Sequence, residues 1–234
     1  MELTEWYPEF LTLWDNIMSN QAPSLSEYEV SIFLTEAQEA VVKGVYNGTL
    51  SNSFESTEEA RSYLSNLVDQ KDYTTPNSTS TIHIVSNSKL YDLPDDYYFI
   101  TFESVTLSDN NDRCVRNKQV IVKPVTQDVF WDIHKNPFKQ DNENRVLRLT
   151  HGNIAELVTP YNIAKYSVRY VRKPKPIILV QLGTPEELQA TTYTGLTIEG
   201  EHNPRNCELH SNLHRVILEY AVKLAQQAWV SQNK

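Results

Sequence analysis

The sequence predicts an α+β protein: a helical bundle that carries an inserted, antiparallel β-rich domain. Two observations lead to this prediction. Apolar residues recur at helical spacing near both ends of the 234-residue chain, and their period drops to two in the middle. The predicted parts are an N-terminal helical part at 1–75 with three helices, a β-rich insertion at 76–207, and one C-terminal helix at 208–234. That last helix is too apolar along one stripe to stand alone, so we expect it to pack on the N-terminal helices.

Each N-terminal helix has its own signal. The first, from Thr4 to Asn20, carries aromatic and aliphatic residues three and four apart. The second begins at Ser26, which with Glu29 forms a capping-box pattern, and it ends at Gly48. The third is predicted to run from Ser56 or Thr57 to about Gln70.

The middle of the chain alternates in the manner of half-buried strands. Tyr97 to Leu107 and Cys114 to Lys123 are predicted to form a long hairpin, and two short strands should flank His151-Gly152-Asn153. Tyr166, Val168 and Tyr170 mark a further strand. Ser211 then begins the C-terminal helix.

The charge of the chain limits its partners. Lysine and arginine number 21 and aspartate and glutamate 30, which gives a net charge of −9. A protein that grips duplex DNA needs clustered cations, so we expect DNA at most to pass this protein without sequence-specific binding. The acidic N-terminus predicts no secretory signal, and no apolar run is long enough for a membrane span, so no membrane partner is expected.

Cys207, His210 and His214 form the best candidate for a metal site. On one continuous helix their spacing would let the three side chains converge. However, Ser211 is the predicted helix start, which leaves Cys207 and His210 outside it, and the sequence offers no fourth ligand. The preferred interpretation is a strand-to-helix junction with no metal. Both cysteines, Cys207 and Cys114, are expected to be reduced and buried.

No other pattern predicts catalysis. The chain lacks a nucleophile elbow, and its 6 glycines are too scattered for a phosphate-binding loop or a dinucleotide fingerprint. Neighbouring carboxylates lie next to turns, where they are usually solvated. We therefore expect no enzyme and no cofactor.

A basic segment stands out in this acidic chain: Arg169, Arg172, Lys173 and Lys175. One interpretation is a solvated strand edge, where cations discourage aggregation. The other is a docking surface for an acidic neighbour, and a second copy of this chain qualifies. The sequence leaves both open.

Several stretches, read together, resemble a family of structural proteins from tailed bacteriophages. They are SEYEVSIFLTEAQEAVVKGVYNG at 26–48, RVLRL at 145–149, YSVRYVRKPKPIIL at 166–179 and CELHSNLHRVILEYAVKLA at 207–225. The similar proteins are head-to-tail connector components, as ring or adaptor proteins, of short-tailed crAss-like phages of Bacteroidetes hosts.

The resemblance implies a virion protein, made in the host cytoplasm and placed in the neck below the portal. Its implied partners are copies of itself in a ring, dodecameric in this family, the portal and other neck or tail proteins, and the genomic DNA in the channel. A ring needs two different complementary patches on each subunit. The basic segment and an acidic helix face formed by Glu27, Glu36 and Glu39 are the predicted pair.

Two alternatives from other classes stay open on the sequence. One is a β-rich module on a helical stalk that binds a host or partner molecule, which exposed aromatic residues on the β region would favour. The other is an enzyme that uses Cys207 with His210 or His214.

Overall fold

The computed structural model describes residues 1–18, 24–49, 58–80, 83–86, 88–108, 115, 117–183, 193 and 195–232. The predicted caps Ser56 and Thr57, and Cys114, lie outside these residues. The chain divides into two compact units. We call 1–67 together with 173–234 the helical unit, and 68–172 the sheet unit.

The helical unit contains four helices in the described residues: α1 (Leu3–Met18), α2 (Glu27–Asn47), α3 (Glu58–Leu64) and the long C-terminal helix (Ser211–Gln232). Because one short helix of the sheet unit precedes it in the chain, the C-terminal helix is α5. Helices α1 and α2 both pack against α5, and α3 packs against α2. Their shared core includes large buried side chains from each element: Trp6, Phe10, Trp14, Leu34, Val41, Leu64, Ile217 and Leu218.

The predicted boundaries of α2 are confirmed. The Ser26 hydroxyl accepts a hydrogen bond from the Glu29 backbone, and the Glu29 carboxylate accepts one from the Ser26 backbone. Gly48 ends the helix in the left-handed conformation, with φ at 77°, which a residue with a Cβ adopts at a cost. The C-terminal helix also begins at Ser211, as predicted.

The prediction for the third helix was wrong in length. Helix α3 ends at Leu64, one 3₁₀ turn follows (Ser65–Leu67), and Val68 begins a strand. The local apolar pattern is helical as far as Val68. Pairing of residues 68–73 with a neighbouring strand satisfies their backbone groups instead, and this tertiary pairing outweighs the local preference.

An extended segment lies along a polar stripe of α2. Gln38 donates to the Lys175 carbonyl (2.8 Å), the Thr35 hydroxyl accepts from the Ile177 amide (3.2 Å), and the Ser31 hydroxyl accepts from the Leu179 amide (3.0 Å). Ser31, Thr35 and Gln38 are all buried. The helix therefore replaces a partner strand for this segment, because buried backbone groups require hydrogen-bond partners.

Replacing Thr35 by valine should lower the free energy of unfolding by about 1–3 kcal/mol, since it leaves the buried Ile177 amide without an acceptor at nearly constant side-chain volume. Denaturant unfolding measures the loss. Thr12→Val is the matched control, because Thr12 also donates to the carbonyl four residues earlier (2.8 Å) but is exposed on α1. Equal losses in both variants would contradict this role for Thr35.

The sheet unit is built on one curled, seven-stranded sheet with strand order β1-β7-β3-β4-β5-β6-β2. Its strands are β1 (Val68–Tyr73), β2 (Lys89–Asp92), β3 (Tyr97–Ser108), β4 (Gln119–Pro124), β5 (Arg145–His151), β6 (Ile154–Val158) and β7 (Asn162–Arg172). Helix α4 (Phe130–His134) lies between β4 and β5 in the chain. The mixed helical and strand content that the sequence predicts is confirmed.

The prediction of a purely antiparallel sheet was wrong at one pair. Strands β4 and β5 run parallel, with Val122 opposite Val146. Parallel neighbours need a crossover of about a dozen residues or more, and the connection through α4, from Val125 to Asn144, is long enough. The other strand pairs are antiparallel.

The two edge strands approach each other where the sheet curls. The Tyr73 hydroxyl at the end of β1 donates to the Asp92 carbonyl at the end of β2 (2.7 Å). The ring centroids of Tyr73, Tyr91 and Tyr166 lie 5.0–5.8 Å apart. The three rings belong to the larger apolar core of the sheet unit, which we call the inner core. Burial raises the pKa of Tyr73 and of Tyr91 to about 12, so both hydroxyls stay protonated.

A smaller core covers the outer face of β5 and β6. Phe130 of α4 packs there with Leu147, Leu149 and Val158, and Ile84 and Val85 complete the cluster. Strand β5 thus buries apolar residues on both faces, since Val146 belongs to the inner core.

The division between units differs from the predicted domain boundaries. It falls at 67/68 and 172/173, whereas the sequence predicted 75/76 and 207/208. The difference arises because residues 68–73 form an edge strand and because the segment after Arg172 is hydrogen-bonded to α2. Among the described helices, none combines the length and apolar character that crossing a membrane requires.

Candidate subunit interface

Arg169 and Arg172 lie on β7, which pairs with β1 on one side and β3 on the other. For these two residues the strand-edge interpretation was therefore wrong. Arg169 points to solvent, and its guanidinium donates to the Gln70 side chain on β1 (3.2 Å). The edges of the sheet are β1 and β2.

Lys173 is paired within its own chain. Its ammonium lies 2.9 Å from a Glu39 carboxylate oxygen on α2 and 2.6 Å from one of Glu199. Burial alone would lower the pKa of Lys173, but the two carboxylates outweigh it and raise the pKa, which keeps this lysine charged. The basic segment and the acidic face were predicted to pair between subunits. Lys173 and Glu39, one residue from each, instead pair within one subunit.

The remaining predicted interface residues are more accessible. Lys175 and Glu36 are exposed, and Glu27 is partly exposed in the first turn of α2. The backbone of Lys175 is held in place, because its carbonyl accepts from Gln38 and its amide donates to Glu208 (3.3 Å). The structure therefore presents these charges from fixed backbone positions.

The three residues of the metal candidate lie around the start of α5. Cys207 and His210 precede the helix, and His214 lies in its first turn. His214 contacts the Trp6 ring (5.3 Å between centroids), and its Nε2 lies 3.2 Å from the Leu209 carbonyl. Among the residues whose placement is described, no group of three histidine, cysteine or acidic side chains is arranged to hold a metal.

Cys207 is a poor nucleophile in this environment. Burial raises the pKa of its thiol to about 12. The reactive thiolate is then scarce near neutral pH, which is typical of a structural cysteine. The geometry thus gives no support to an enzyme built on Cys207 with His210 or His214.

The inner core of the sheet unit contains a buried ion pair. The guanidinium of Arg148 on β5 lies 2.8 Å from Glu103 on β3, and the Tyr166 hydroxyl donates to the same carboxylate. Burial raises the pKa of Glu103, although Arg148 and Tyr166 act against it. Sequence patterns could locate these residues on strands but could not show that they meet.

A second buried carboxylate, Glu156 on β6, holds the segment before β2. Its Oε1 accepts from the backbone amides of Ile84 (2.9 Å) and Val85 (3.3 Å) and from the Ser88 hydroxyl. Its Oε2 lies 2.7 Å from His151 Nε2. The role of this network is structural, because the carboxylate accepts hydrogen bonds from the backbone amides of a loop.

Two aromatic side chains are exposed on the crossover between β4 and β5. Trp131 of α4 is 49% exposed, and Phe138 in the following loop is 89% exposed. Large exposed aromatic side chains are enriched at protein interfaces, so both residues are candidates for contact with a partner. Local sequence patterns do not show that these two aromatic residues are exposed, because exposure depends on how the elements pack.

The helical unit contains an apolar pocket of about 180 Å³ between α1, α2 and α5. Its walls are mainly aromatic and aliphatic, with one carboxylate: Trp14, Leu25, Glu29, Ile32, Phe33, Ala225, Ala228 and Trp229. The helical spacing of these residues in the sequence predicts core packing, and only the assembled helices show a cavity.

Comparison with known proteins places these features in a family. A family model described as "Phage tail ring protein 3/4" matches residues 1–234. The chain is 39% identical over 225 residues to ring protein 3 of Bacteroides phage crAss001. This alignment covers 94% of this chain and 93% of that protein. It is 32% identical over 238 residues to ring protein 4/5 of the same phage, covering 98% and 94% respectively.

Proposed function

The chain belongs to the phage tail ring protein 3/4 family, and from this premise we propose that it is one subunit of a ring in the head–tail neck, below the portal, that lines part of the DNA channel. Family membership confirms the resemblance to ring proteins of crAss-like phages. It also confirms that the chain is a structural virion protein and not an enzyme.

The match over the full length of the chain is the observation that carries the proposal. Both units lie within the matched residues, so the sheet unit is part of the ring protein and not an addition to it. We propose further that copies assemble with each other, dodecameric as the resemblance implies, and that the portal and other neck or tail proteins are the neighbours.

The charge of the chain supports a passive role towards DNA. A net charge of −9 disfavours capture of a polyanion, and a channel with an acidic surface lets DNA slide through. We expect the purified protein not to retain duplex DNA at physiological salt.

Particle imaging of virions tests the position directly. A closed ring of this chain between portal and tail, with a channel wide enough for duplex DNA, is the expected result. Density for this chain outside the neck, or an arrangement without a central channel, would contradict the proposal.

The basic segment provides a separate prediction for assembly. Reversing the charges of Arg169 and Arg172 to glutamate should weaken ring assembly, because an acidic chain would lose its local attraction to a neighbouring copy. Native mass spectrometry at low and high salt measures the oligomers. Lys173→Glu is the internal comparison: it breaks ion pairs within the chain, so its main expected effect is on stability. Unchanged oligomers in the double variant would rule out this role.

The exposed Trp131 and Phe138 favour a second candidate, a host- or partner-binding module carried by the helical unit. The two candidates differ in oligomeric state. A binding module would remain functional as a small oligomer and would bind a target through these aromatic residues, whereas a ring subunit would use them for contacts within the neck.

A further inference from the structure

We propose that Phe138 of one copy inserts into the apolar pocket of the helical unit of the next copy in the ring. This inference rests on the proposed function, because a ring of identical subunits supplies the neighbouring copy. A heterologous interface that closes into a ring requires two different patches on every subunit. Phe138 and the apolar pocket would be these two patches.

The loop that carries Phe138 is held in one conformation. The Asn136 side chain accepts from the Phe138 amide (3.0 Å), and the Asn136 carbonyl accepts from the Lys139 and Gln140 amides (3.0 and 2.9 Å). His134 and Asp141 are 2.9 Å apart across the base of the loop. A loop backbone that is fixed before binding loses little conformational freedom on docking, which favours Phe138 as an anchor residue.

The pocket has the size and lining that a phenyl ring needs. It encloses about 180 Å³, and a dry apolar cavity of roughly 150 Å³ is known to take up benzene. Trp14, Phe33 and Trp229 supply aromatic lining against which an inserted phenyl ring can pack. Trp14 is buried, so this wall of the pocket is part of the helical core and is formed in the isolated subunit.

Charges around the two features are complementary. Lys135 and Lys139 are exposed on either side of Phe138 in the chain. Glu29 lines the pocket, and Glu36 is exposed two turns further along α2 on the same side of the helix. Lysines that approach with Phe138 would meet these carboxylates, which favours a copy of this chain as the occupant and fixes the direction of insertion.

The first test removes the phenyl ring. Phe138→Ala should weaken the interface about thirtyfold, which is about 2 kcal/mol at 1.4 kcal/mol per factor of ten. Sedimentation velocity over a concentration series measures the shift. Phe102→Ala is the matched control, because Phe102 is also exposed on the sheet unit, at 53%, but lies on β3 outside this loop; it should leave assembly unchanged.

The second test uses the asymmetry of the contact. Ala228→Trp fills the pocket and leaves Phe138 in place, whereas Phe138→Ala leaves the pocket intact. Each variant alone should fail to form rings. A mixture should give one-to-one pairs and no closed ring, because only one of the two contacts per pair can form. Ala228→Leu, a smaller filling, serves if the tryptophan variant does not fold by circular dichroism.

Cross-linking identifies what Phe138 contacts. A photoreactive phenylalanine at position 138, in a mixture of isotopically labelled and unlabelled copies, should join to α2 or α5 peptides of the other copy. Rings that form normally with Phe138→Ala, or cross-links only to peptides outside α2 and α5, overturn this inference and leave the ring function standing. A wild-type protein that never assembles contradicts the ring function itself.

Discussion

Arg148→Met should lower the free energy of unfolding by about 3–5 kcal/mol near neutral pH, because it leaves the buried Glu103 carboxylate without its counter-charge. Methionine keeps most of the side-chain volume, so the loss reports the charge and not a large cavity. Of its two charge-stabilising partners among the described residues, the carboxylate would keep Tyr166. Chemical denaturation followed by circular dichroism gives the free energy.

Two controls separate the buried charge from other effects. Arg215→Met removes an exposed arginine from its ion pairs with Glu9 and Glu219, and exposed pairs contribute only about 0–1 kcal/mol. Adding Glu103→Gln to Arg148→Met removes the unpaired charge and should restore a large part of the lost stability. A double variant no more stable than Arg148→Met would contradict the explanation.

The pH dependence of Arg148→Met has a definite sign. Burial already raises the pKa of Glu103 in the folded protein above its usual 4.5, and loss of Arg148 removes an opposing influence. The folded variant then binds a proton more readily than the unfolded chain does. The loss in the free energy of unfolding relative to the wild type is therefore largest near neutral pH. It should become smaller as the pH falls towards about 4.5.

Glu156→Leu is the second large expected effect, also about 3–5 kcal/mol. The substitution leaves the amides of Ile84 and Val85 without their shared acceptor, and each unsatisfied donor costs about 1–3 kcal/mol. The Ser88 hydroxyl also loses this acceptor but keeps the Val85 carbonyl as a partner (2.8 Å). Hydrogen exchange should show early opening of residues 83–86 and of β2. Glu143→Leu, at a surface carboxylate 3.6 Å from Lys118, should change stability by only about 0.5 kcal/mol.

The milder Glu156→Gln tests the charge of the same carboxylate. Burial acts to raise the pKa of Glu156, but hydrogen bonds from Ser88, Val85, His151 and Ile84 outweigh it and lower the pKa. The stability that the ionised group contributes is therefore fully present above pH 4.5, the pKa of this glutamate in the unfolded chain. It is lost as the pH falls through the lowered pKa of Glu156 in the folded protein. The advantage of the wild type over Glu156→Gln should decline over that range; a constant difference would show that the charge is not responsible.

Local signals in the sequence were sufficient where neighbours in the chain make the structure. The capping box of Ser26 and Glu29, the end of α2 at Gly48 and the start of α5 at Ser211 depend on contacts within a few residues, and all three are confirmed. The family could also be read from the sequence, because its distinctive stretches extend from α2 to α5.

The tertiary structure decided whatever depends on residues far apart in the chain. Val68 joins a strand because β7 offers backbone partners, β4 and β5 can run parallel because the connection through α4 is long, and Lys173 pairs with Glu39, 134 positions away in the chain. The exposure of Phe138 and the pocket beside Trp14 likewise follow from how elements pack, which no local pattern contains. The sequence by itself therefore determined the class, the caps and the family of this ring protein. Only the fold showed which charges are already paired inside one subunit and which surfaces are left for the next.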